Sequence, residues 1–117
     1  MKKTEGKGRS IGPVAVLGGG NIGQAIARGI AQSGLCAPGA VTITRRQKGP
    51  LATLAREGFA TSDDNRAAVR RARIVIIAVQ PQQLVGLLDE VRSDLSRNHL
   101  VISIVSGARC SDILERI

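Results

Sequence analysis

From Val14 onward, short apolar runs alternate with longer stretches in which apolar residues recur every three or four positions. That is the pattern of strands alternating with helices. "VAVL" at 14–17 predicts a first strand, and Ile22, Ile26 and Ile30, spaced i, i+4, i+8, predict a helix with one apolar face. Ser33-Gly34 closes that helix. The β-branched "VTIT" at 41–44 predicts a second strand. A helix over 50–57 follows, with Pro50 in its first turn and Gly58 at its end. "FAT" at 59–61 predicts a short third strand, and Asp63 or Asp64 caps a short helix through Val69. "IVIIAV" at 74–79 is a continuous apolar run that predicts a strand buried on both faces. Pro81 opens a helix striped by Leu84, Leu87, Leu88 and Val91, "LVISIV" at 100–105 predicts a fifth strand, and Ser111 caps a last helix reaching Ile117. The order predicts a doubly wound, Rossmann-like α/β domain, a mostly parallel sheet with helices on both faces.

Where the first strand gives way to the first helix, the chain reads "GGGNIG". Gly18, Gly20 and Gly23 form G-x-G-x-x-G directly between the two elements, the placement that separates a dinucleotide-binding turn from a chance match. Gly18 permits the tight turn, Gly20 removes a Cβ from the path of a pyrophosphate, and Gly23 lets the helix pack on the strand. The helix beginning near Asn21 directs free N–H groups and the positive end of its dipole at the phosphates.

The second strand ends "TRR", Thr44-Arg45-Arg46, where a carboxylate would favour the ribose hydroxyls of NAD. A hydroxyl and two guanidiniums suit a 2′-phosphate instead, because arginine offers a planar fork of donors and keeps its charge. The expected cofactor is NADP(H) in preference to NAD(H). Residues 1–11, rich in Lys, Gly and Ser without periodicity, read as a disordered basic leader. Residues 12–117 read as the dinucleotide-binding domain.

Composition narrows the partners. Phe59 is the single aromatic residue, so the core must come from Ile, Val, Leu and Ala. A formal charge of +8 favours an anionic partner, but the near absence of aromatics removes the stacking platforms that readers of single-stranded nucleic acid use. Nucleic acid is thereby disfavoured against the phosphates of a small cofactor. No stretch reaches the roughly 18 apolar residues of a membrane span, and no secretory signal opens the chain. The expectation is a cytoplasmic protein without membrane partners. Cys36 and Cys110 are far apart and lack histidine companions, so they read as free thiols and no metal site is expected.

Taken together, "VAVLGGGNIGQAIARGI", "TSDDN", "IVIIAVQPQQL" and "LVISIVSG" resemble the cofactor domain of pyrroline-5-carboxylate reductase, over nearly all of 11–117. The A-V-x-P-Q turn after the fourth strand and the S-I-x-x-G ending of the fifth make this more specific than the glycine motif alone. β-Hydroxyacid dehydrogenases and deazaflavin-dependent NADP reductases share the first motif and remain alternatives, as does a stand-alone, non-catalytic NADP(H)-binding module. The resemblance implies hydride transfer from NADPH to 1-pyrroline-5-carboxylate, giving L-proline in proline biosynthesis. It implies that Gly18, Gly19, Gly20, Asn21, Ile22 and Gly23 hold the pyrophosphate and that Thr44, Arg45 and Arg46 hold the adenosine phosphate. Asn65 would lie near the adenosine, or simply cap its helix. Ala78, Val79, Gln80 and Pro81, with Ile104, Val105 and Ser106, would flank the nicotinamide.

Two departures from the family are visible. Gln80 stands where the family usually carries Lys, which removes any role of an ammonium there. The family's following strand, its M-P-N-T-P segment and its dimerising helical domain are not in this sequence. The resemblance therefore implies that this chain binds NADP(H), but that alone it reduces the imino acid poorly or not at all. Hydride transfer needs both partners held in near-attack geometry. Homo-oligomer formation through an uncovered apolar surface is a further expectation.

Other residues carry no mechanism by sequence. His99, beside Asn98, has no evident partner and reads as a surface histidine. Arg66, Arg70, Arg71 and Arg73 read as the solvated face of a short helix rather than a phosphate patch, and Ser106 and Ser111 lack a base. No catalytic residue is assigned.

Overall fold

Alternate residues of the first strand feed two different cores, and this organises the molecule. A computed structural model describes residues 11–45 and 48–105, without the side chains of 48–50. Residues 1–10 of the leader, Arg46, Ser106, Cys110 and the helix expected after Ser111 lie outside the described residues, whereas Ile11, assigned to the leader, donates its N–H to Leu35 O at 3.0 Å and packs on the core.

Strand β1 (Val14–Leu17) is buried along its whole length. Val14 and Val16 face a layer with Ala27, Ile30, Ile43, Leu54 and Phe59, while Ala15 and Leu17 face one with Val69, Val75, Leu84, Leu88 and Val91. The period of two along a strand makes this division, and only apolar residues satisfy both sides.

Helix α1 (Asn21–Gln32) leads to β2 (Val41–Thr44), α2 (Lys48–Arg56) to β3 (Ala60–Ser62), α3 (Asn65–Arg71) to β4 (Ile74–Ile77), and α4 (Leu84–Val91) to β5 (Leu100–Ser103). Among the described residues all four strand pairings are parallel, in the order β3-β2-β1-β4-β5. The chain therefore winds outward from β1 to β3, crosses over through α3, and winds outward again from β4. The change of direction leaves a crevice at the C-terminal ends of β1 and β4, where open α/β sheets place their ligands.

The expected fold class is what the structure has, with adjustments at element ends. The apolar face of α1 centres on Gly23, Ala27 and Ile30, and Ile22 is 63% exposed. Over eight residues the helix drifts about 80°, which carries Ile22 off the face that buries Ile30. β4 ends at Ile77 rather than at 79, because its partner β1 ends at Leu17, whose carbonyl accepts a last hydrogen bond from Ala78 N–H at 2.9 Å. Pro81 opens a single 3-10 turn, Pro81–Gln83, before α4 begins. β3 starts at Ala60, and Phe59 is a core residue preceding it. Asp64, not Asp63 or Asn65, caps α3, its carboxylate accepting from Ala67 N–H at 3.1 Å.

Candidate functional site

The glycines of "GGGNIG" meet different constraints. Gly18 turns with φ +114°, and a Cβ there would lie 2.8 Å from the carbonyl carbon and oxygen of Ala78. A Cβ on Gly23 would lie 1.9 Å from the carbonyl oxygen of Gly18, so the first turn of α1 rests directly on the turn that precedes it. The protein's own packing thus demands both glycines. Gly20 is different, because a Cβ there would meet nothing within 4 Å.

The space over Gly20 is part of a cleft of about 660 Å³ at the crevice between β1 and β4. Gly18, Gly19 and Gly20 form one wall, Thr44 and Arg45 from the end of β2 another, and Ala78, Val79 and Gln80 from the end of β4 a third. Gln82, Gln83, Gly86 and Leu87 close it from the side of α4. Gly20 is the N-cap of α1 and gives it no side-chain cap, and no acidic residue occupies the first turn. The positive end of the helix dipole is therefore not neutralised by its own sequence, as an anion-binding terminus requires.

Arg45 is the one charged side chain lining the cleft among the described residues. Its Nη1 donates to the carbonyl oxygen of Gly19 at 2.9 Å, and its backbone N–H donates to Ser62 O at 3.1 Å. Gln24 Nε2 donates to the same Gly19 oxygen at 2.7 Å. Thr44 is buried, 2% exposed, and its hydroxyl donates to Asn65 Oδ1. Asn65 Nδ2 in turn donates to Glu90 Oε1 at 3.3 Å. At the opposite end, Gln80 and Gln83 form a reciprocal capping box around the 3-10 turn, Gln80 N–H donating to Gln83 Oε1 at 3.0 Å. Among the described residues, that end is lined by neutral groups.

Of the residues singled out by sequence, the structure brings Gly18, Gly19, Gly20, Thr44, Arg45, Ala78, Val79 and Gln80 around one cleft. Asn21, Ile22 and Gly23 form the first turn of α1 beside it. Asn65 stands behind Thr44, and Pro81 lies in the 3-10 turn. Ile104, 39% exposed, and Val105 follow β5, where Ile104 N–H donates to Ile77 O at 3.1 Å, next to the end of β4 rather than in the cleft wall. By sequence, Gln24, Gln82, Gln83 and Gly86 have no assigned role, and Leu87 has only a place in an apolar stripe. A glycine inside a helix costs about 1 kcal/mol relative to alanine, so Gly86 was the available signal for an open helix face. Nothing within 4 Å would meet a Cβ there.

Away from the cleft, His99 is not the unpartnered surface residue expected. Its Nδ1 accepts from Ser96 N–H at 3.0 Å and its Nε2 lies 2.9 Å from Val69 O. A carbonyl can only accept, so Nε2 carries the proton and the ring joins the end of α3 to the loop before β5. Arg66, Arg70, Arg71 and Arg73 are all exposed, as a solvated face is, and Arg66 and Arg70 pair there with Asp94, at 2.7 and 3.1 Å. Their guanidiniums hold the Asp94 carboxyl below its usual range. Cys36 is a buried thiol, pushed up by desolvation. No helix among the described residues is long and apolar enough to cross a membrane, and no group of three potential metal ligands gathers there.

Residues 13–107 match the family model described as NADP oxidoreductase, coenzyme F420-dependent. Pyrroline-5-carboxylate reductase 1 of Dictyostelium discoideum is 43% identical over 104 residues, covering 89% of this chain and 19% of that protein. The solved structure of a pyrroline-5-carboxylate reductase from Coxiella burnetii superposes with a TM-score of 0.85 at 28% identity, covering 92% of this chain and 40% of its own. An imine reductase from Myxococcus stipitatus in complex with NADP+ has a TM-score of 0.68 at 31% identity, covering 81% and 32%. The chain spans well under half the length of these relatives. The similarity to pyrroline-5-carboxylate reductases read from the motifs is thus present in both sequence and fold.

Proposed function

The chain belongs to the coenzyme F420-dependent NADP oxidoreductase family, and we propose that its cleft binds NADP(H) as the cofactor domain of an imine-reducing enzyme resembling pyrroline-5-carboxylate reductase. The observation that carries this reading is the open space over Gly20, bounded by the uncapped N-terminus of α1 and by the guanidinium of Arg45. A fold that needs glycine at 18 and 23 for its own packing has no such need at 20. A group from outside, with the width of a pyrophosphate, supplies one.

In this reading residues 18–23 hold the pyrophosphate through backbone N–H groups, and Arg45 with Arg46 neutralises the 2′-phosphate of the adenosine ribose. Thr44 lends shape rather than a hydroxyl hydrogen, since it donates to Asn65. Asn65 then acts near the adenosine through Thr44. Ala78, Val79, Gln80 and Pro81 border the nicotinamide, which supplies a hydride when bound; Ile104 and Val105, beside the end of β4 and outside the cleft wall, are not given that role. The glutamines at that end put no charge of their own beside the ring, and the Gln80–Gln83 box keeps the turn in shape without the family's lysine. The chain's part in the reaction is to bind and orient the cofactor, and an imino acid such as 1-pyrroline-5-carboxylate is the acceptor. The described residues build one wall of a two-substrate site, so we expect binding without efficient turnover from these 117 residues. The family description favours one second reading, with a deazaflavin in place of the imine as hydride partner. We assign the protein to the cytoplasm in either case.

The test is a titration of the purified chain with NADPH and NADH, followed by assays with each candidate acceptor. NADPH binding at least tenfold tighter than NADH, falling to parity in Arg45→Ala/Arg46→Ala, supports the reading. Equal affinities, or none, refute it.

A further inference from the structure

Three successive glycines give the turn at 18–20 wide conformational freedom, and freedom is a poor property in a phosphate-binding loop. The Gly19–Gly20 peptide is flanked by glycine on both sides, so little steric resistance opposes its rotation. Its two orientations, half a turn apart, differ in which group can meet an occupant of the cleft, the Gly20 N–H or the Gly19 carbonyl oxygen. A carbonyl oxygen repels an anion that an N–H attracts. Something else must decide the orientation.

Two side chains hold this carbonyl. Gln24 Nε2 donates to it at 2.7 Å from the second turn of α1, and Arg45 Nη1 donates to it at 2.9 Å from the end of β2. An sp² oxygen has two lone pairs and can accept both. In a planar trans peptide the N–H points opposite to the C=O. Fixing the Gly19 oxygen between Gln24 and Arg45 therefore fixes the Gly20 N–H in the reverse direction, away from both donors.

We propose that Gln24 is a positioning residue for the dinucleotide: it clasps the Gly19 carbonyl together with Arg45 and so locks the Gly20 N–H in its phosphate-binding orientation. The proposal rests on the reading of the cleft as an NADP(H) site. Gln24 is the cleaner half of the clasp to probe, because it does not line the cleft, whereas Arg45 does and is also assigned to the 2′-phosphate. The clasp acts on the pyrophosphate, which NADPH and NADH share. Gln24 must therefore affect both equally, which a residue reading the 2′-phosphate cannot do.

The experiment measures NADPH and NADH affinities of the chain, Gln24→Met and Gln24→Lys, with the thermal midpoint of each. Methionine keeps the length and removes the donor; lysine restores a donor at similar reach. The expected result is a three- to tenfold loss for both cofactors in Gln24→Met, as loss of a single hydrogen bond gives. Gln24→Lys, whose ammonium is a charge-assisted donor, should bind both cofactors at least as tightly as the parent. Unchanged binding in Gln24→Met, failure of Gln24→Lys to recover it, or a changed NADPH-to-NADH ratio overturns the clasp while the parent still binds. A parent that binds neither cofactor overturns the cleft reading, and the clasp with it.

Discussion

A side chain placed on Gly23 would begin 1.9 Å from the carbonyl oxygen of Gly18, so helix α1 sits as close to the turn before it as a glycine allows. Gly20, three residues earlier, faces open space. Two glycines of one motif thus answer to different demands, and substitution separates them. Gly23→Ala must displace backbone, and we expect a loss of about 3 kcal/mol in urea unfolding together with loss of cofactor binding. Gly20→Ala, at φ −76°, meets no neighbour and should keep its stability within about 0.5 kcal/mol while binding NADPH at least tenfold more weakly. If both variants unfold alike, the distinction is wrong.

The buried hydroxyl of Thr44 and the amide of Asn65 make a second separable pair. Asn65→Ala leaves that hydroxyl without its acceptor, at a cost of about 1–3 kcal/mol. Thr44→Val removes the hydroxyl but keeps the shape, so Asn65→Ala should cost much less in a Thr44→Val background. Additive losses in the double-mutant cycle would show that the two are not coupled.

His99 ties Val69 at the end of α3 to Ser96 before β5 through both ring nitrogens. His99→Ala should lower stability by about 1–2 kcal/mol, with amide exchange rising first at Ser96 and leaving NADPH affinity unchanged. Loss of NADPH affinity without loss of stability would give His99 a role at the site that its geometry denies.

Acid should weaken the fold through two carboxylates outside the cleft. The hydrogen-bonded guanidinium of Arg28 lowers Glu57, and those of Arg66 and Arg70 lower Asp94. A carboxyl held below its unfolded value contributes stability that is complete above the ordinary carboxylate range, about pH 4, and is lost as pH falls through the folded value. Urea midpoints should therefore hold steady from pH 7 to 5 and fall below about 4. Glu57→Gln/Asp94→Asn should be less stable at pH 7 and should fall less steeply in acid. An equally steep fall would place the acid sensitivity elsewhere.

What the sequence made legible followed from periodicity and from glycine. The five strands, their alternation with helices and the turn at 18–23 were all readable, because the burial of β1 on both faces and the close approach of Gly23 leave direct marks on residue type. What it hid came from contacts between residues distant in the chain. His99 meets Val69 thirty positions away, Arg66 meets Asp94 across twenty-eight, and Thr44 meets Asn65 across twenty-one; no local pattern announces such pairs. Gln24 was passed over for a related reason. It is an ordinary polar residue on a helix, and only the folded turn brings it to the Gly19 carbonyl. Ile22 misled because an i, i+4, i+8 spacing drifts around a helix and does not stay on one buried line.

The central claim is that the cleft over Gly20 receives NADP(H), and calorimetric titration of the unmodified chain beside Gly20→Ala tests it most directly. The account predicts saturable one-to-one binding of NADPH, at least tenfold tighter than that of NADH, and loss of most of that affinity in a Gly20→Ala protein that remains folded. Binding of NADPH that is unchanged by Gly20→Ala, or that is absent from the folded parent chain, would contradict it.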